Sequence, residues 1–315
     1  MKILFLGAGG VGGYFGGRLI EAGGDVTFQV RPARAEALAA HGLVIKSPLG
    51  DATVPAQTIG SNAIGAGPFD LVIVSCKAYD LAQAIEAIAP HVAAGAVVLP
   101  LLNGMRHHDD LRQRFGPERM IGGMCQIETT LSSESEIVHK SQFARLVFGP
   151  FEEYPADAHV QRVISDFAAL CEGANFSSKL MDPVDQALWD KWVMIGTLGG
   201  ITCLMRGAAG DVMATKEGRE LIEELLQEAI SVATEAGYPP SPDYLANARK
   251  LLMAPGSTFM ASMLRDLEKG GAIEADHIIG DMYRRAHESG HDANLLRMVF
   301  CHLQTYEARR ARGGL

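Results

Sequence analysis

The stretch KILFLGAGGVGGYFGGRL, residues 2–19, decides the fold of the first half of the chain. Its apolar run, residues 2–7, predicts a β-strand that ends in glycine, and residues 10–23 predict a helix that follows almost at once. Between the two lies the pattern G-x-G-x-x-G, at residues 7–12. Alone this pattern is weak evidence, but a strand before it and a helix after it are the context of a dinucleotide-binding turn.

Each glycine of this turn has a physical task in that context. Gly7 permits the tight turn, Gly9 lets the backbone approach a pyrophosphate, and Gly12 lets the helix pack close to the strand. The helix N-terminus, at Gly10 and Val11, offers N–H groups to the anion. We therefore expect a nicotinamide dinucleotide to bind here. A glycine-rich turn without a ligand is the alternative.

The second predicted strand, residues 26–30, decides between the two nicotinamide dinucleotides. A site that prefers NAD carries Asp or Glu at the end of this strand, about 20 residues after the glycines. Here Asp25 stands at the start of the strand, which is the wrong end, and Arg31 stands where the ribose 2′ position would lie. A guanidinium pairs with a 2′-phosphate that a carboxylate would repel. We expect NADPH/NADP, against the alternative that Arg31 is a solvated surface charge.

Strands and helices alternate through the rest of the first half. Pro-Leu-Gly at residues 48–50 predicts a hairpin turn. The further predicted strands are 70–76, 95–104 and two within 119–130 and 144–150, and the further predicted helices are 32–41 and 79–91. Continuous apolar strands that alternate with helices imply a doubly wound parallel sheet of the α/β class, covered on both faces. We place this dinucleotide-binding domain at residues 1–180.

The pattern changes near Asp182, where strand signals end. Asp182 and Pro183 indicate the N-cap and the first position of a helix, and we place the domain boundary within residues 178–183. A C-terminal all-helical domain is expected over residues 181–315. Its predicted helices are 183–200, 211–236, 242–253, 257–269, 272–289 and 294–312.

The composition excludes several classes of function. The 315 residues carry a net charge of −9, which argues against a nucleic-acid or anionic-membrane partner. Five cysteines, widely spaced and without a C-x-x-C pattern, indicate reduced thiols. No run reaches the roughly 18 apolar residues of a membrane span, and glycines break the N-terminal apolar run too early for a signal peptide. We expect a cytoplasmic protein.

Three polar side chains stand where ligand chemistry is expected. Lys77 and Asn103 follow predicted strands, and ligands of open α/β sheets bind beyond the carboxyl ends of the strands. Lys77 could hold an anionic substrate or a cofactor phosphate, and Asn103 could orient a carbonyl or the nicotinamide amide. Asn-Gly is also a common turn dipeptide. Lys191 lies between the chain's two tryptophans in LWDKW, residues 188–192, where a lysine stem that reaches out to solvent is the alternative to a catalytic ammonium.

The adjacent histidines His107 and His108 do not predict a metal site. Neighbouring side chains point in different directions, and the sequence offers no third ligand at a suitable spacing. We expect no metal.

Six motifs, in one order along the whole chain, resemble the ketopantoate reductase (2-dehydropantoate 2-reductase) family. They are ILFLGAGGVGGYFGGRL, VIVSCKAY, LLNGM, LWDKW, ASMLRDLEKGG and AIEADHIIG. The resemblance implies a Rossmann-type domain followed by a helical domain, with NADPH as the cofactor. It also implies reduction of a 2-oxo acid to a 2-hydroxy acid, most simply 2-dehydropantoate to pantoate in pantothenate biosynthesis.

Carried onto this sequence, the family's catalytic lysine is similar to Lys191 and its key glutamate is similar to Glu274. As hydride reaches a ketone carbon, the ammonium of Lys191 could stabilise the oxygen and then protonate it. Apolar neighbours would favour release of that proton. Glu274 could bond the substrate hydroxyl and aim Lys191, and Ser262 would hold the substrate carboxylate. An acid that complements a helix dipole is the alternative for Glu274.

The resemblance gives roles to three residues of the first half as well. Asn103 matches the asparagine of the family's N-G-M motif, and Lys77 matches its strand-end lysine. Both are expected to contact cofactor or substrate. Arg31 matches the arginine that binds the 2′-phosphate.

Three positions depart from the family's pantothenate enzymes, which carry asparagines where this chain has Ile195, Gly199 and Ala209. Ile195 and Gly199 share a helix face with Lys191, so polar groups that would grip the substrate beside the lysine are missing. Loss of such partners costs discrimination on the order of 10⁴-fold in related cases. The alternatives are a paralogue that reduces a more apolar 2-oxo acid or ketone, and an NADP-binding sensor without catalysis. A homodimer through the helical domain is the expected assembly.

Overall fold

The computed structural model describes residues 1–60 and 66–314, and the chain divides into two compact units. The first unit contains Met1–Leu102 and His107–Val184. The second contains Asn103–Arg106 together with the chain from Asp185 onward. Residues 103–106 therefore belong to the second unit, although the elements before and after them belong to the first.

The first unit combines strands with helices, as the sequence predicts. Its described strands are β1 (Lys2–Leu6), β2 (Asp25–Gln29), β3 (Leu43–Lys46), β4 (Ala52–Val54), β5 (Gln57–Ile59), β6 (Leu71–Val74), β7 (Val97–Pro100), β8 (Gly122–Gln126), β9 (Thr129–Leu131), β10 (Ile137–His139), β11 (Arg145–Gly149) and β12 (Ser177–Leu180). Its described helices are α1 (Gly10–Glu21), α2 (Pro32–His41), α3 (Leu81–Ala93), α4 (Arg106–Phe115) and α5 (Ala158–Glu172), with 3₁₀ turns at Ala78–Asp80 and Pro117–Arg119.

A parallel sheet with the order β5-β2-β1-β6-β7 forms the centre of this unit. The register of β1 sets Leu4 between Thr27 of β2 and Val72 of β6. The strands β6 and β7 are buried along their whole length, as their continuous apolar sequences require. The predicted doubly wound parallel sheet is confirmed.

Two smaller sheets complete the first unit. One has the order β4-β3-β10-β9 and contains the hairpin predicted at residues 48–50, since β3 and β4 are antiparallel. The other has the order β12-β11-β8 and includes both strands predicted within 119–130 and 144–150. The strands β5, β10 and β12 and the helices α4 and α5 have no counterpart among the predictions.

Helix α1 is covered on two sides because its glycines leave room for neighbouring side chains. A Cβ at Gly16 would lie 2.6 Å from the ring of Phe28 in the parallel sheet. A Cβ at Gly17 would lie 2.7 Å from Leu43 and 2.8 Å from Ile45 in the small sheet. Contacts this short cannot form, so the glycines are what permit this packing.

Among the described residues of the second unit, helices are the only regular secondary structure, in agreement with the predicted helical second half. They are α6 (Asp185–Met205), α7 (Ala209–Met213), α8 (Gly218–Glu235), α9 (Pro242–Leu252), α10 (Ser262–Glu268), a π-helix (Asp276–Gly280), α11 (Asp281–Glu288) and α12 (Asn294–Ala311).

The predicted start of the long helix α6 is wrong. The Asp182–Pro183 peptide bond is cis, and the helix begins at Asp185. The N–H of Val184 donates to the carbonyl of Pro150 at 3.0 Å. Residues up to 184 are thus still paired with the segment after β11, and Asp182 cannot serve as the N-cap.

Two further predicted helices differ in the structure. The helix predicted over 211–236 divides into α7 and α8, and α8 begins at Gly218, where a Cβ would overlap the carbonyl oxygen of Val212. The helix predicted over 257–269 is reduced to α10. Its first residues are extended instead, and the N–H of Gly210 donates to the Ser257 carbonyl at 2.9 Å.

No helix in the described part of the chain combines the length and the apolar character that a membrane span requires.

The join between β11 and β12 yields a test of the packing. A Cβ at Gly149 would overlap the Met181 carbonyl oxygen, whereas a Cβ at Gly60 would meet no atom of the described residues within 4 Å. We expect Gly149→Ala to lower the free energy of unfolding by about 1–3 kcal/mol, as overpacking does. Gly60→Ala is the control and should stay within about 0.5 kcal/mol of the parent. Urea unfolding checks both, and equal stabilities of the two variants would contradict the packing described.

Candidate functional site

The turn after β1 has the geometry of a phosphate-binding loop. Gly7 has a φ of +98°, which only glycine adopts without strain, and its N–H donates to the Gln29 carbonyl at 3.0 Å. Gly9 is the N-cap of α1, and a Cβ at Gly9 would meet nothing within 4 Å among residues 1–60 and 66–314. The helix N-terminus thus offers N–H groups beside open space, and these residues fit a dinucleotide pyrophosphate.

The rest of the loop is closely packed. A Cβ at Gly12 would overlap Ser75 Oγ and lie 2.5 Å from the Gly7 carbonyl oxygen. A Cβ at Gly10 would lie 2.8 Å from Thr129 Oγ1 on β9. Val11 is half-buried against the core of the unit. The glycines therefore differ in task, since Gly9 leaves space open while Gly10 and Gly12 allow protein atoms to come close.

Arg31 lies at the end of β2, where the sequence places it. It is the N-cap of α2, its side chain is 73% exposed, and its Nη2 lies 3.2 Å from Asp80 Oδ2. The sequence interpretation missed Asp80, which closes the 3₁₀ turn after Lys77. The position of this acidic residue, three residues after Lys77, was the sequence signal that could have indicated it. A carboxylate thus stands beside the guanidinium that we expect to bind a 2′-phosphate.

Arg34 is a second residue that the sequence interpretation missed. Its Nε donates to the Ala8 carbonyl at 2.9 Å, and its Nη1 donates to the Ser135 carbonyl at 2.7 Å. Burial lowers the pKa of Arg34. The guanidinium ties the glycine loop to the turn between β9 and β10. The spacing Arg31-x-x-Arg34, one helical turn, was the only hint of it.

The two strand-end residues belong to different units. Lys77 is half-buried and begins the 3₁₀ turn after β6, within the first unit. Asn103 belongs to the second unit, with the segment that follows β7.

In the second unit, Lys191 lies on α6 and its Nζ is buried. The neighbouring Trp192 is 1% exposed, and its Nε1 donates to the Ile278 carbonyl at 3.0 Å. This bond ties the turn of α6 that carries Lys191 to the π-helix. Glu274, which is 7% exposed, comes two residues before that π-helix. The helix that carries Lys191 thus packs against the π-helix that follows Glu274.

The two tryptophans around Lys191 share one cation. The guanidinium carbon of Arg285 lies 5.9 Å from the ring centre of Trp189 and 5.6 Å from that of Trp192. Arg285 in turn donates to Asp281 at 3.1 Å. The indole rings are therefore fixed by α11, and the backbone of α6 at Lys191 is fixed with them.

Polar residues surround the π-helix. Burial lowers the pKa of His277 to about 4, against the opposing charge of Glu274, so the ring is neutral at pH 7. Arg106 Nη1 lies 2.5 Å from Asp276 Oδ2, and Arg284 Nη1 lies 2.8 Å from Asp276 Oδ1. The sequence interpretation missed these ion pairs, and no local pattern indicates them.

The face of α6 beyond Lys191 is apolar. Ile195 is half-buried, one turn after the lysine. A Cβ at Gly199 would lie 3.2 Å from Met263 Cε and 3.9 Å from Ala261 Cβ. Ser262, the first residue of α10, stands between these two neighbours. The segment that carries Ser262 therefore packs against α6 at Gly199, and Ser262 itself is exposed.

The third departure, Ala209, is fully buried, and its N–H donates to the Phe259 carbonyl at 2.9 Å. It connects α7 to the extended segment before Ser262. Where the family's pantothenate enzymes carry an asparagine, this chain therefore has only the methyl group of Ala209 close to that segment.

His107 and His108 are buried, with ring centres 4.0 Å apart. Within residues 1–60 and 66–314, no group of three or more His, Cys, Asp or Glu side chains could hold a metal ion.

Comparison with known proteins gives the same family over both halves of the chain. The model "Ketopantoate reductase PanE/ApbA" matches residues 3–153, and "Ketopantoate reductase PanE/ApbA C terminal" matches residues 183–307. The chain is 36% identical to the "Uncharacterized oxidoreductase YkpB" of Bacillus subtilis (strain 168), over 98% of this chain and 100% of that protein.

Solved structures share the fold over the full length. The 2-dehydropantoate 2-reductase from Geobacter metallireducens GS-15 is 28% identical with a TM-score of 0.86, and the match covers 97% of this chain and 99% of that one. D-mandelate dehydrogenase with NADH and anilino(oxo)acetate is 19% identical with a TM-score of 0.86, over 99% and 100%. The chain belongs to the ketopantoate reductase family, and it is an oxidoreductase that acts on CH–OH groups with NAD(P).

Proposed function

We propose that this protein reduces a 2-oxo acid to a 2-hydroxy acid with NADPH, and that 2-dehydropantoate, which gives pantoate, is the first substrate to test. The observation that carries the proposal is the pairing of α6 with the π-helix through Trp192 and Ile278. That contact packs the helix that carries Lys191, whose Nζ is buried, against the π-helix that begins two residues after the buried Glu274. A sensor that only binds NADP needs neither group, so their burial together favours an enzyme.

When bound, the nicotinamide cofactor supplies a hydride to the carbonyl carbon of the substrate. Lys191 stabilises the charge that grows on the carbonyl oxygen and then donates a proton to it. Glu274 accepts a hydrogen bond from the substrate and keeps the ammonium aimed. Ser262, at the start of α10, donates to the substrate carboxylate, and Asn103 orients the carbonyl.

A second candidate function follows from the apolar face after Lys191. Ile195 and the Gly199–Met263 contact present carbon atoms on the side of α6 that carries the lysine. Such a surface stabilises an apolar substituent, and it cannot hydrogen-bond a hydroxyl. A 2-oxo acid with an apolar side chain is therefore the alternative substrate.

In the first unit, the glycine loop would hold the pyrophosphate and Arg31 the 2′-phosphate of NADPH. Arg34 keeps the loop in place through Ala8. Lys77 adds a further cation beside the loop that carries Asp80. A homodimer and a cytoplasmic location also remain predictions, to be checked by light scattering and by cell fractionation.

The substrate is decided by a matched pair of 2-oxo acids, assayed by NADPH oxidation. 3,3-Dimethyl-2-oxobutanoate is 2-dehydropantoate without its hydroxyl group. If the site hydrogen-bonds that hydroxyl, kcat/KM for 2-dehydropantoate should exceed kcat/KM for the deoxy compound by a factor on the order of 10⁴, as in other sites that bind a substrate hydroxyl. Equal or better turnover of the deoxy compound would replace the pantoate assignment with the apolar alternative. No turnover of any 2-oxo acid would contradict the proposal as a whole.

The role of Lys191 is tested by Lys191→Met, which keeps the length of the stem and removes the proton donor. General acid catalysis is worth about 10²–10⁴-fold, so we expect kcat to fall by at least about tenfold. The exposed Lys179 of β12 supplies the control, since Lys179→Met should leave kcat unchanged. A loss smaller than tenfold in Lys191→Met would rule out the acid role.

The cofactor preference is tested at Arg31 and its neighbour. Arg31→Ala removes a charge-assisted bond worth about 1.5–3 kcal/mol, so the dissociation constant of NADPH should rise by about tenfold or more, with little change for NADH. Asp80→Asn removes the carboxylate 3.2 Å from the guanidinium, and NADPH should then bind several-fold more tightly. Cofactor fluorescence titrations of the parent and of both variants measure these dissociation constants. Equal losses of both cofactors in Arg31→Ala would refute the 2′-phosphate role.

A further inference from the structure

One carboxylate beside Glu274 is shared by two arginines that come from different segments. Asp276 accepts from Arg106 Nη1 at 2.5 Å and from Arg284 Nη1 at 2.8 Å, and Arg284 Nη2 also donates to the Asp276 carbonyl at 3.2 Å. Burial opposes ionisation of Asp276, but the guanidiniums of Arg284 and Arg106 outweigh it and hold the pKa of this carboxyl below its usual range. Asp276 is therefore a charged anchor at neutral pH.

Arg106 ends a short segment, residues 103–106, that belongs to the second unit. This segment has a second attachment at Gly104, which has a φ of +86°. A Cβ at Gly104 would lie 2.9 Å from the His277 carbonyl oxygen and 3.2 Å from His277 Cδ2, so the two backbones are in close contact. Residues 104 and 106 thus hold the segment against residues 276 and 277 of the π-helix.

Asn103 begins this segment, and Glu274 lies two residues before Asp276. Asn103 and Glu274, both of which we assign to the substrate, therefore flank the contacts that join residues 104 and 106 to residues 276 and 277. We propose that Arg106 and Asp276 are positioning residues, which set Asn103 against Glu274 so that Asn103 acts on the substrate together with Lys191. This inference rests on the proposed function for the roles of Asn103 and Glu274.

The ion pair is suited to positioning rather than to stability. Arg106 and Asp276 are 43% and 60% exposed, and exposed pairs contribute little to the free energy of unfolding. A displacement of about 1 Å at a catalytic site, by contrast, can reduce the rate by as much as 10²-fold. Loss of the pair should therefore lower turnover and leave the thermal midpoint nearly unchanged.

Arg106→Met and Arg284→Met form a matched pair of variants. Each removes one guanidinium from Asp276, but only Arg106→Met releases residues 103–106. We expect Arg106→Met to lower kcat by about tenfold, with KM for NADPH within about twofold and the thermal midpoint within a few degrees. Arg284→Met should keep kcat within about threefold of the parent. Arg106→Lys, which restores a charge to the pair, should recover part of the loss.

A double substitution tests whether the effect passes through Asn103. If Arg106 acts by placing Asn103, then Asn103→Ala should cost much less in Arg106→Met than in the parent enzyme, because the two residues act as one unit. Additive losses would overturn the proposal. So would equal losses of kcat in Arg106→Met and Arg284→Met, or an unchanged kcat in Arg106→Met.

A measurement without substrate separates this inference from the proposed function. Amide hydrogen exchange over residues 103–106 should be faster in Arg106→Met than in the parent, and unchanged in Arg284→Met. Unchanged exchange in both variants would show that the ion pair does not hold the segment. An enzyme that reduces no 2-oxo acid would contradict the proposed function, and the exchange result would still decide whether Arg106 holds the segment.

Discussion

Helix α1 can begin directly behind β1 only because Gly12 has no side chain. A Cβ there would overlap Ser75 Oγ and come within 2.5 Å of the Gly7 carbonyl oxygen. This close approach directs the N–H groups of α1 at the open space beside Gly9. It also places Gly16 and Gly17 between the parallel sheet and the small sheet. The dinucleotide loop and the two-sided packing of α1 follow from this one steric constraint.

In the second unit, burial of two indole rings has a comparable role. Trp192 is nearly inaccessible, and its hydrogen bond to Ile278 fixes α6 against the π-helix. The lysine beside it is carried to a buried position by the packing of its neighbours. The same helix then continues with Ile195 and Gly199, which offer no polar atoms. One helix face therefore supports the proposed proton transfer and restricts the substrates that the face can bind.

Much of the first unit could be predicted because its signals are local. A glycine turn between an apolar strand and a helix depends on neighbouring residues, as does the hairpin at residues 48–50. The errors arose where distant residues intervene. Pairing with Pro150 delays the start of α6, and the bond from Gly210 to Ser257 keeps the chain before α10 extended. For the same reason, Asp276 beside Arg106 could not be foreseen, whereas Asp80 beside Arg31 had a local signal in its position three residues after Lys77.

The sequence by itself determined the fold class and the kind of cofactor, because glycine spacing and apolar periodicity act over a few residues and need no knowledge of the rest of the chain. The family was indicated by the resemblance of six motifs along the whole chain. It also supplied Lys191 and Glu274 as candidates. Only the tertiary structure decided which candidates share a surrounding. It joined the segment that begins with Asn103 to the π-helix after Glu274, and it set Met263 against Gly199. Such contacts join residues far apart in the chain, and they depend on the packing of whole helices.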